Sequence, residues 1–314
     1  MLPFDILVKV FCYLPLKNLF SYTRVCKSVN KRMQLPHFAQ MYQLLTGKKF
    51  NWLLYLILRY PDKDWDWENL SRNPTITWEI ICSHPDRKWY WRSLSINPNI
   101  TWEIIRNNPG IKWDWYWLSS NPNITWKIIQ KYPNQPWNYR GLSSNPNITW
   151  EIIQAYPDIP WSWAFLSRND NITWEIVRDN PDEPWDWDSL SYNPNITWEF
   201  IQANPDKPWD WESLSENPNI TWEIVQDNLD KDWDRFWLSQ NANITWEIIR
   251  DNSKFDWSWE GVSRNPNITW EIVQANPDKP WSWVWLSCNP NITWEIIFNN
   301  LDKPWDWSGL SCKL

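Results

Sequence analysis

Carboxylates and hydroxyls recur along the chain at fixed spacing, and they are the first candidates for catalytic groups. Asp and Glu together number 37. A pair of catalytic carboxylates must lie in one cleft, whereas an equivalent set of acids recurs here every 24 residues. The Ser of a repeated Leu-Ser pair has no His or Lys partner of the kind that activates a nucleophilic Ser. The pattern therefore predicts no catalytic residue.

Sequence patterns that bind metals or phosphates are also missing. The two histidines, His37 and His84, have no neighbouring Cys or carboxylate at ligand spacing. None of the five glycines lies in a phosphate-binding loop. We therefore expect no metal site, no cofactor and no enzymatic activity. The five cysteines are odd in number and irregularly spaced, which is typical of reduced thiols in an intracellular protein.

A 24-residue repeat must position all of these groups. Residues 193–216, NPNITWEFIQANPDKPWDWESLSE, show it in full. Its Thr-Trp pair occurs ten times without insertion or deletion, from Thr77 to Thr293. A strict period of this length is the signature of a stacked array, and it explains most of the 34 Trp. Each repeat must bury its Trp, Ile and Leu against its neighbours, because helices this short are unstable alone.

Each repeat is predicted to form two short helices. Thr197 is placed to cap a helix over Trp198–Asn204, and the Pro-rich segment that follows cannot continue it. Asp210 is placed to cap a second helix, which opens at Trp211 and ends at the next Asn-Pro. A β-solenoid is the main alternative, because Ile-Thr-Trp favours strands. The paired caps favour helices.

Two columns of the repeat predict contacts between neighbouring copies. An Asn at the turn that opens each repeat, from Asn73 to Asn289, occurs in all ten copies and should form a ladder bonded to open backbone groups. A second column alternates large and small residues. We predict that its side chains pack along the array between neighbouring second helices. The column consists of Asn69, Ser93, Trp117, Gly141, Phe165, Ser189, Ser213, Trp237, Gly261, Trp285 and Gly309.

Charge divides the chain sharply. Residues 1–50 hold eight Lys or Arg and one acid, a net charge of +7. The rest of the chain holds 22 Lys or Arg (30 less 8) and 36 Asp or Glu (37 less 1), a net charge of −14. The acidic array argues against a general nucleic-acid binder, which needs a basic face. The longest apolar run, Trp52 to Leu58, is too short to cross a bilayer. The N-terminus lacks the pattern of a signal peptide, so we expect a soluble protein with no membrane partner.

Residues 2–45 carry the most specific functional signal. The segment LPFDILVKVFCYLPLKNLFSYTRVCKSVNKRMQ resembles an F-box in residue types and in spacing, although Val29 stands where that family often has Trp. In F-box proteins this module binds the small Skp-family adaptor of an SCF ubiquitin ligase, and the rest of the chain holds the substrate. The resemblance implies that the adaptor-binding residues are Leu2, Pro3, Ile6, Leu7, Leu14, Pro15, Leu16, Leu19, Val25 and Cys26.

An F-box joined to Trp-rich repeats also resembles proteins encoded by giant DNA viruses of amoebae, similar to mimivirus. That resemblance implies action on the ubiquitin machinery of a host, in the host cell cytoplasm. We predict an all-α protein with a three-helix F-box at 1–45, a degenerate joining repeat at 46–72, and an α-solenoid of ten two-helix repeats at 73–314. If each helix layer adds about 8–10 Å, ten repeats would span roughly 100 Å.

The predicted function is a non-catalytic substrate receptor for an unknown protein substrate. Recognition should fall where the repeats differ, as in the row that precedes each Asn of the ladder. A neutral solvent face is the alternative for this row. The rival functions are a structural scaffold whose N-terminal helices only cap the array, and an array that reads single-stranded nucleic acid, which its charge disfavours. The candidate substrate-binding residues are Arg72, Ile96, Arg168, Tyr192, Glu216, Gln240 and Arg264.

Overall fold

The protein is represented by a computed structural model, which describes residues 51–313. The predicted F-box residues lie outside this range. Within the range there are helices and turns but no strand, so the helical prediction is confirmed and the β-solenoid alternative is excluded. The first helices of the repeats are α1 (Trp52–Arg59), α3 (Trp78–Ser83), α5 (Trp102–Asn107), α7 (Trp126–Lys131), α9 (Trp150–Ala155), α11 (Trp174–Asp179), α13 (Trp198–Ala203), α15 (Trp222–Asp227), α17 (Trp246–Asp251), α19 (Trp270–Ala275) and α21 (Trp294–Asn299).

A second helix follows each first helix after a Pro-rich turn. The second helices are α2 (Trp67–Arg72), α4 (Trp91–Leu94), α6 (Trp115–Ser120), α8 (Tyr139–Ser143), α10 (Trp163–Ser167), α12 (Trp187–Tyr192), α14 (Trp211–Leu214), α16 (Arg235–Gln240), α18 (Trp259–Arg264), α20 (Trp283–Cys288) and α22 (Trp307–Leu310).

The helices begin at the predicted caps, but the two kinds of cap differ in strength. The Oγ1 of Thr197 lies 3.4 Å from the backbone N of Phe200, which is long for a hydrogen bond. Thr149 and Thr173 make no side-chain cap bond. By contrast, the Oδ1 of Asp186 accepts a 2.8 Å bond from the backbone N of Ser189. The Asp caps therefore fix the second helices more firmly than the Thr caps fix the first helices.

Trp, Ile and Leu form the core, as the sequence predicted. Leu190 and Ile196 are fully buried, and no Trp within residues 51–313 is exposed. Trp rings of neighbouring repeats meet edge to face, which is a favourable geometry for aromatic pairs. Trp187 and Trp209, for example, have ring centroids 5.1 Å apart. The indole N–H of Trp209 also donates to the carbonyl of Asn204, so its polar group is satisfied.

The Asn ladder is confirmed and carries the polar contacts between repeats. The Nδ2 of Asn193 donates to the carbonyls of Ser167, Asn169 and Ile172, at 2.8, 3.2 and 3.1 Å. Its Oδ1 accepts a bond from the backbone N of Asn195. A parallel ladder uses Ser, since each Leu-Ser hydroxyl accepts from a backbone N–H 19 residues further along the chain. The recurring Ser is thus structural.

The described residues divide into two compact structural units. The smaller comprises residues 51–64 and 293–304, and the larger comprises 65–292 and 305–313. In the smaller, α1 and α21 meet through Trp52 and Phe298, whose ring centroids are 4.8 Å apart. The larger holds all eleven second helices and the complete Asn ladder.

In the larger unit, the ladder closes on itself. The Nδ2 of Asn73 donates to the carbonyls of Ser311 and Lys313, just as each later Asn donates to the preceding repeat. The backbone N of Asp66 donates to the Ser311 hydroxyl, and Trp65 packs edge to face on Trp307. The eleven second helices therefore form a closed ring. The closest pairs of helices are all consecutive second helices.

Closure corrects one expectation drawn from the sequence, which predicts an array that runs roughly 100 Å from end to end. Instead, Trp307 and Ser311 of the last repeat pack on the first repeat. Eleven spacings of about 8–10 Å therefore make up the perimeter of a ring rather than the length of a rod. The repeat pattern alone does not specify the angle between neighbouring repeats, which decides between these outcomes.

The predicted packing of the alternating column is confirmed at Gly141 and Gly261. A Cβ on Gly141 would lie 2.3 Å from the carbonyl oxygen of Tyr116, and one on Gly261 would lie equally close to that of Phe236. The ring of Trp285 reaches across Gly261 to Phe236, with centroids 5.3 Å apart. Glycine thus lets two helices approach closely, and an aromatic ring from the following repeat covers the junction.

Candidate functional site

The second helices differ from one another mainly on one side. Their variable positions have the spacing i, i+1 and i+4, so they share a helix face, and we call it the variable face. The Leu and Ser between them are buried. The i+1 position is the alternating column described above, and the i+4 position is the predicted substrate-binding row. The i position holds Glu68, Arg92, Tyr116, Arg140, Ala164, Asp188, Glu212, Phe236, Glu260, Val284 and Ser308.

The predicted substrate-binding residues lie on this face with different exposures. Arg72 and Arg168 are exposed, and the other five are half-buried: Ile96, Tyr192, Glu216, Gln240 and Arg264. The structure brings Arg168 onto the ring of Tyr192, with its guanidinium carbon 4.2 Å from the ring centroid. Arg72 instead pairs with Glu68 of its own helix at 2.8 Å.

Sequence reasoning missed the i position of the variable face. The sequence predicts binding for the row before the Asn and packing for the alternating column. Residues such as Arg92, Tyr116 and Arg140 were not considered, although they lie beside both. The helical spacing of the three variable columns would have revealed that they form one surface.

Cations and aromatic rings alternate along four consecutive second helices, α4, α6, α8 and α10. We call this set the basic–aromatic arc; it comprises Arg92, Tyr116, Trp117, Arg140, Phe165 and Arg168. The guanidinium carbon of Arg140 lies 4.8 Å from the ring centroid of Phe165, and that of Arg92 lies 5.8 Å from Trp117. The rings of Tyr116 and Phe165 meet across the intervening repeat, 6.5 Å apart. Stacking therefore links all four helices.

The remainder of the variable face has a different chemistry. Asp188, Glu212 and Glu216 make the stretch on α12 and α14 acidic. Beyond it, Arg264 stacks on Trp285, with its guanidinium carbon 5.1 Å from the ring centroid. The second-helix ring thus presents a basic stretch, an acidic stretch and an aromatic stretch in succession.

Two cysteines lie side by side at the end of the variable face. The Sγ of Cys288 lies 3.5 Å from the carbonyl of Gly309. A hydrogen bond from the Cys312 thiol lowers the pKa of Cys288 to about 7, and the same bond raises the pKa of Cys312. Lys313 occupies the ladder position that Asn holds elsewhere, and its Nζ donates to the carbonyl of Asn289 at 2.6 Å. Burial lowers the pKa of Lys313 to about 8.

Carboxylates of the first helices are likewise explained by structure. The first-turn Glu199 has its pKa lowered by a backbone hydrogen bond and by the hydroxyl of Thr197. His84 is half-buried at the end of α3, where its Nδ1 lies 3.0 Å from the carbonyl of Ile80. Residues 51–313 contain no group of three His, Cys, Asp or Glu side chains that could hold a metal ion. In the same range, no helix is both long and apolar enough to span a membrane.

All ten predicted adaptor-binding residues precede residue 51 and lie outside the described residues. A comparison with family models covers that part of the chain. Residues 1–38 match the F-box domain. The chain therefore carries an F-box domain followed by Trp-rich helical repeats, and F-box domains generally bind Skp-family adaptors. No curated protein matches the chain, and no solved structure does.

Proposed function

We propose that this protein is a non-catalytic substrate receptor of an SCF-type ubiquitin ligase. Its F-box domain binds the Skp-family adaptor, and its repeat array holds a protein substrate. The observation that carries the proposal is the F-box match at residues 1–38. Residues 1–45 would form the adaptor-binding domain, 46–72 the junction and 73–314 the array. In the junction, Asp66 caps a second helix as most of its counterparts in the repeats do. Asn73, which follows that helix, donates to the carbonyl of Ser311. Both contacts support the proposal that the repeat pattern begins in the junction.

The substrate would bind to the variable face of the second helices. A surface that distinguishes one protein from another needs side chains that differ from repeat to repeat, and the variable face presents three adjacent columns of such side chains. The candidates Arg72, Ile96, Arg168, Tyr192, Glu216, Gln240 and Arg264 belong to it. The resemblance to proteins of giant amoebal viruses supports the further proposal that the adaptor is a host protein met in the host cytoplasm.

Co-purification with a Skp-family adaptor tests the proposal. The double variant Leu7→Asp, Leu16→Asp places charges on the apolar residues that the F-box resemblance assigns to the adaptor contact. An unpaired buried charge costs about 3–5 kcal/mol, so adaptor binding should be lost. Circular dichroism should show that the helices of the array persist. Asn107→Asp serves as a control, because residue 107 is exposed on a first helix and an equivalent repeat holds Asp179.

A structural scaffold is the second candidate, and the closed ladder favours it, because a closed ring is a rigid platform. In that case the N-terminal helices would only cap the array. The wild-type protein would then fail to retain the adaptor, and Leu7→Asp, Leu16→Asp would alter stability without altering binding. Retention of adaptor by the wild type, with loss in the double variant, excludes the scaffold.

A further inference from the structure

The basic–aromatic arc has a composition found nowhere else on the variable face. Helices α4, α6, α8 and α10 contribute twelve positions to that face, which hold three Arg, three aromatic rings and no acid. The array as a whole is acidic, with 36 acids against 22 basic residues beyond residue 50. A local cluster of cations in an acidic array creates a local field that attracts acidic groups.

The three cations of the arc are available to a partner. Arg140 and Arg168 are exposed, and within the described range neither forms an ion pair. Arg92 has a side chain that is 69% exposed, and its Nε lies 3.9 Å from the Oδ2 of Asp114, at the outer limit of an ion pair. The Oδ1 of that same carboxylate accepts from the backbone N of Tyr116. The arc therefore retains most of its positive charge.

The rings of the arc are already held in place. Phe165 contacts Tyr116 on one side and Arg140 on another. Gly141 lies between these two aromatic repeats and leaves room for the contact. Side chains that are ordered before binding lose less entropy when a partner arrives. The arc thus offers fixed apolar contacts interleaved with free charges.

We propose that the arc binds an extended acidic peptide segment that carries aromatic side chains. The inference rests on the proposed function, since this segment would belong to the protein substrate. Four helices at about 8–10 Å per step span roughly 30 Å, which matches about nine residues of extended chain at about 3.3 Å each. Carboxylates pair with the three Arg, and the rings of the segment pack against Phe165 and Trp117.

Acidic residues that follow the arc favour a peptide over a nucleic acid as its ligand. Asp188, Glu212 and Glu216 follow directly on α12 and α14. A nucleic-acid strand carries a phosphate at every nucleotide, so it would meet these carboxylates as soon as it extended past the arc. A peptide can be acidic over nine residues only, and its sequence beyond them can be neutral or basic.

Fluorescence anisotropy with a labelled random Glu/Tyr copolymer tests the proposal on the full-length protein. The triple variant Arg92→Glu, Arg140→Glu, Arg168→Glu should weaken binding at least tenfold, and Phe165→Ala should weaken it several-fold. A Glu/Ala copolymer should bind more weakly than Glu/Tyr to the wild type. The matched control is Arg106→Glu, Arg178→Glu, Arg250→Glu, which reverses three exposed Arg on first helices, two of which also stack on rings. This control should bind as the wild type does.

Two results would overturn the proposal. One is equal binding of the copolymer by the arc variant and the control variant, with both shown to be folded by circular dichroism. The other is tighter binding of labelled oligothymidylate than of the copolymer, which would assign the arc to single-stranded nucleic acid. Adaptor binding is measured on the same samples. If the arc variant loses the copolymer but keeps the adaptor, both proposals stand; failure of the wild type to bind the adaptor would overturn only the proposed function.

Discussion

Each Asn of the ladder uses both ends of its amide. The Nδ2 of Asn193 faces three backbone carbonyls, and its Oδ1 accepts a backbone N–H, so neither Asp nor Leu can replace it. Asn193→Asp would place a buried carboxylate against carbonyl oxygens. The loss of buried hydrogen bonds and the burial of an unpaired charge should lower the free energy of unfolding by about 3–5 kcal/mol.

Urea denaturation measures this cost. The control is Asn107→Asp, which makes the same chemical change at an exposed position on α5. It should alter the free energy of unfolding by less than about 0.5 kcal/mol. Equal destabilisation by the two variants would mean that the Asn193 amide does not hold the repeats together.

Lys313 makes the stability of the ladder depend on pH. Its pKa is lowered to about 8 in the folded protein from an ordinary value of 10.5, because burial disfavours the ammonium. Between these two values the unfolded chain binds more protons than the folded chain, so stability should rise with pH. Below pH 8 the cost of burying the charge is fully present.

The measurement is the free energy of unfolding from pH 8 to pH 9.5. The free energy of unfolding of the wild type should rise by on the order of 1 kcal/mol between pH 8 and pH 9.5, because folding releases the proton of Lys313 in this range. Lys313→Met should show a smaller gain, because Met cannot titrate. The charge of Lys313 also lowers the pKa of the neighbouring Cys288 thiol, so both proteins are compared with Cys288 replaced by Ser. A slope unchanged by Lys313→Met would contradict the assignment.

The size of the side chains between neighbouring second helices sets the distance between those helices. At Gly261, a Cβ would lie 2.3 Å from the carbonyl oxygen of Phe236, which is backbone and cannot rotate away. Gly261→Ala should therefore push α18 from α16 and cost about 1–3 kcal/mol, as overpacking generally does. Gly261→Trp should cost at least as much.

Gly110→Ala is the matched control for this change. A Cβ at residue 110 meets nothing within 4 Å, and its φ is not in the left-handed region. Alanine there should be neutral or stabilising by up to about 1 kcal/mol, because it restricts the unfolded chain. Thermal denaturation compares the stability of the two variants. A Gly261→Ala protein as stable as Gly110→Ala would mean that the two helices are not in close contact.

Elements were more predictable than the contacts between them. The boundaries of α13 followed from Thr197 and from the Pro-rich turn, because caps and breakers act over a few residues. The Asn ladder followed from the presence of one polar residue in every repeat. The importance of Tyr116 and Arg140 did not follow, because their role depends on which rings meet across Gly141. Spacing along the chain does not report that three-dimensional relation.

At the scale of the whole molecule, closure of the second-helix ring gives the first repeat the same neighbours as a central one. The Nδ2 of Asn73 donates to Ser311 and Lys313 as that of Asn193 donates to Ser167 and Asn169. Asn73→Ala should therefore cost nearly as much as Asn193→Ala, about 1–3 kcal/mol each. In an open array the Asn73 Nδ2 would face solvent, so Asn73→Ala would lose only the local bonds from Thr75 and would cost clearly less than Asn193→Ala.

Urea denaturation of the two variants distinguishes the closed ring from an open array. A clearly smaller loss of stability in Asn73→Ala than in Asn193→Ala would show that the ladder is open in solution. Hydrogen exchange adds a direct measure, because the amide of Asp66 is protected only if Ser311 accepts its bond. Rapid exchange at Asp66, together with protection at the equivalent Asp210, would also show that the ladder is open in solution.

A closed ring also constrains the rotation angles between neighbouring repeats, whereas an open stack does not. Eleven equal steps of about 33° complete one turn, so the angles at all the joints must sum to a fixed total. If a bulky side chain wedges one joint open, the ten others must each close by about a tenth of that change. In a linear stack the same wedge would only redirect the free end. In this protein a disturbance at one repeat is shared as a small rotation around the circumference.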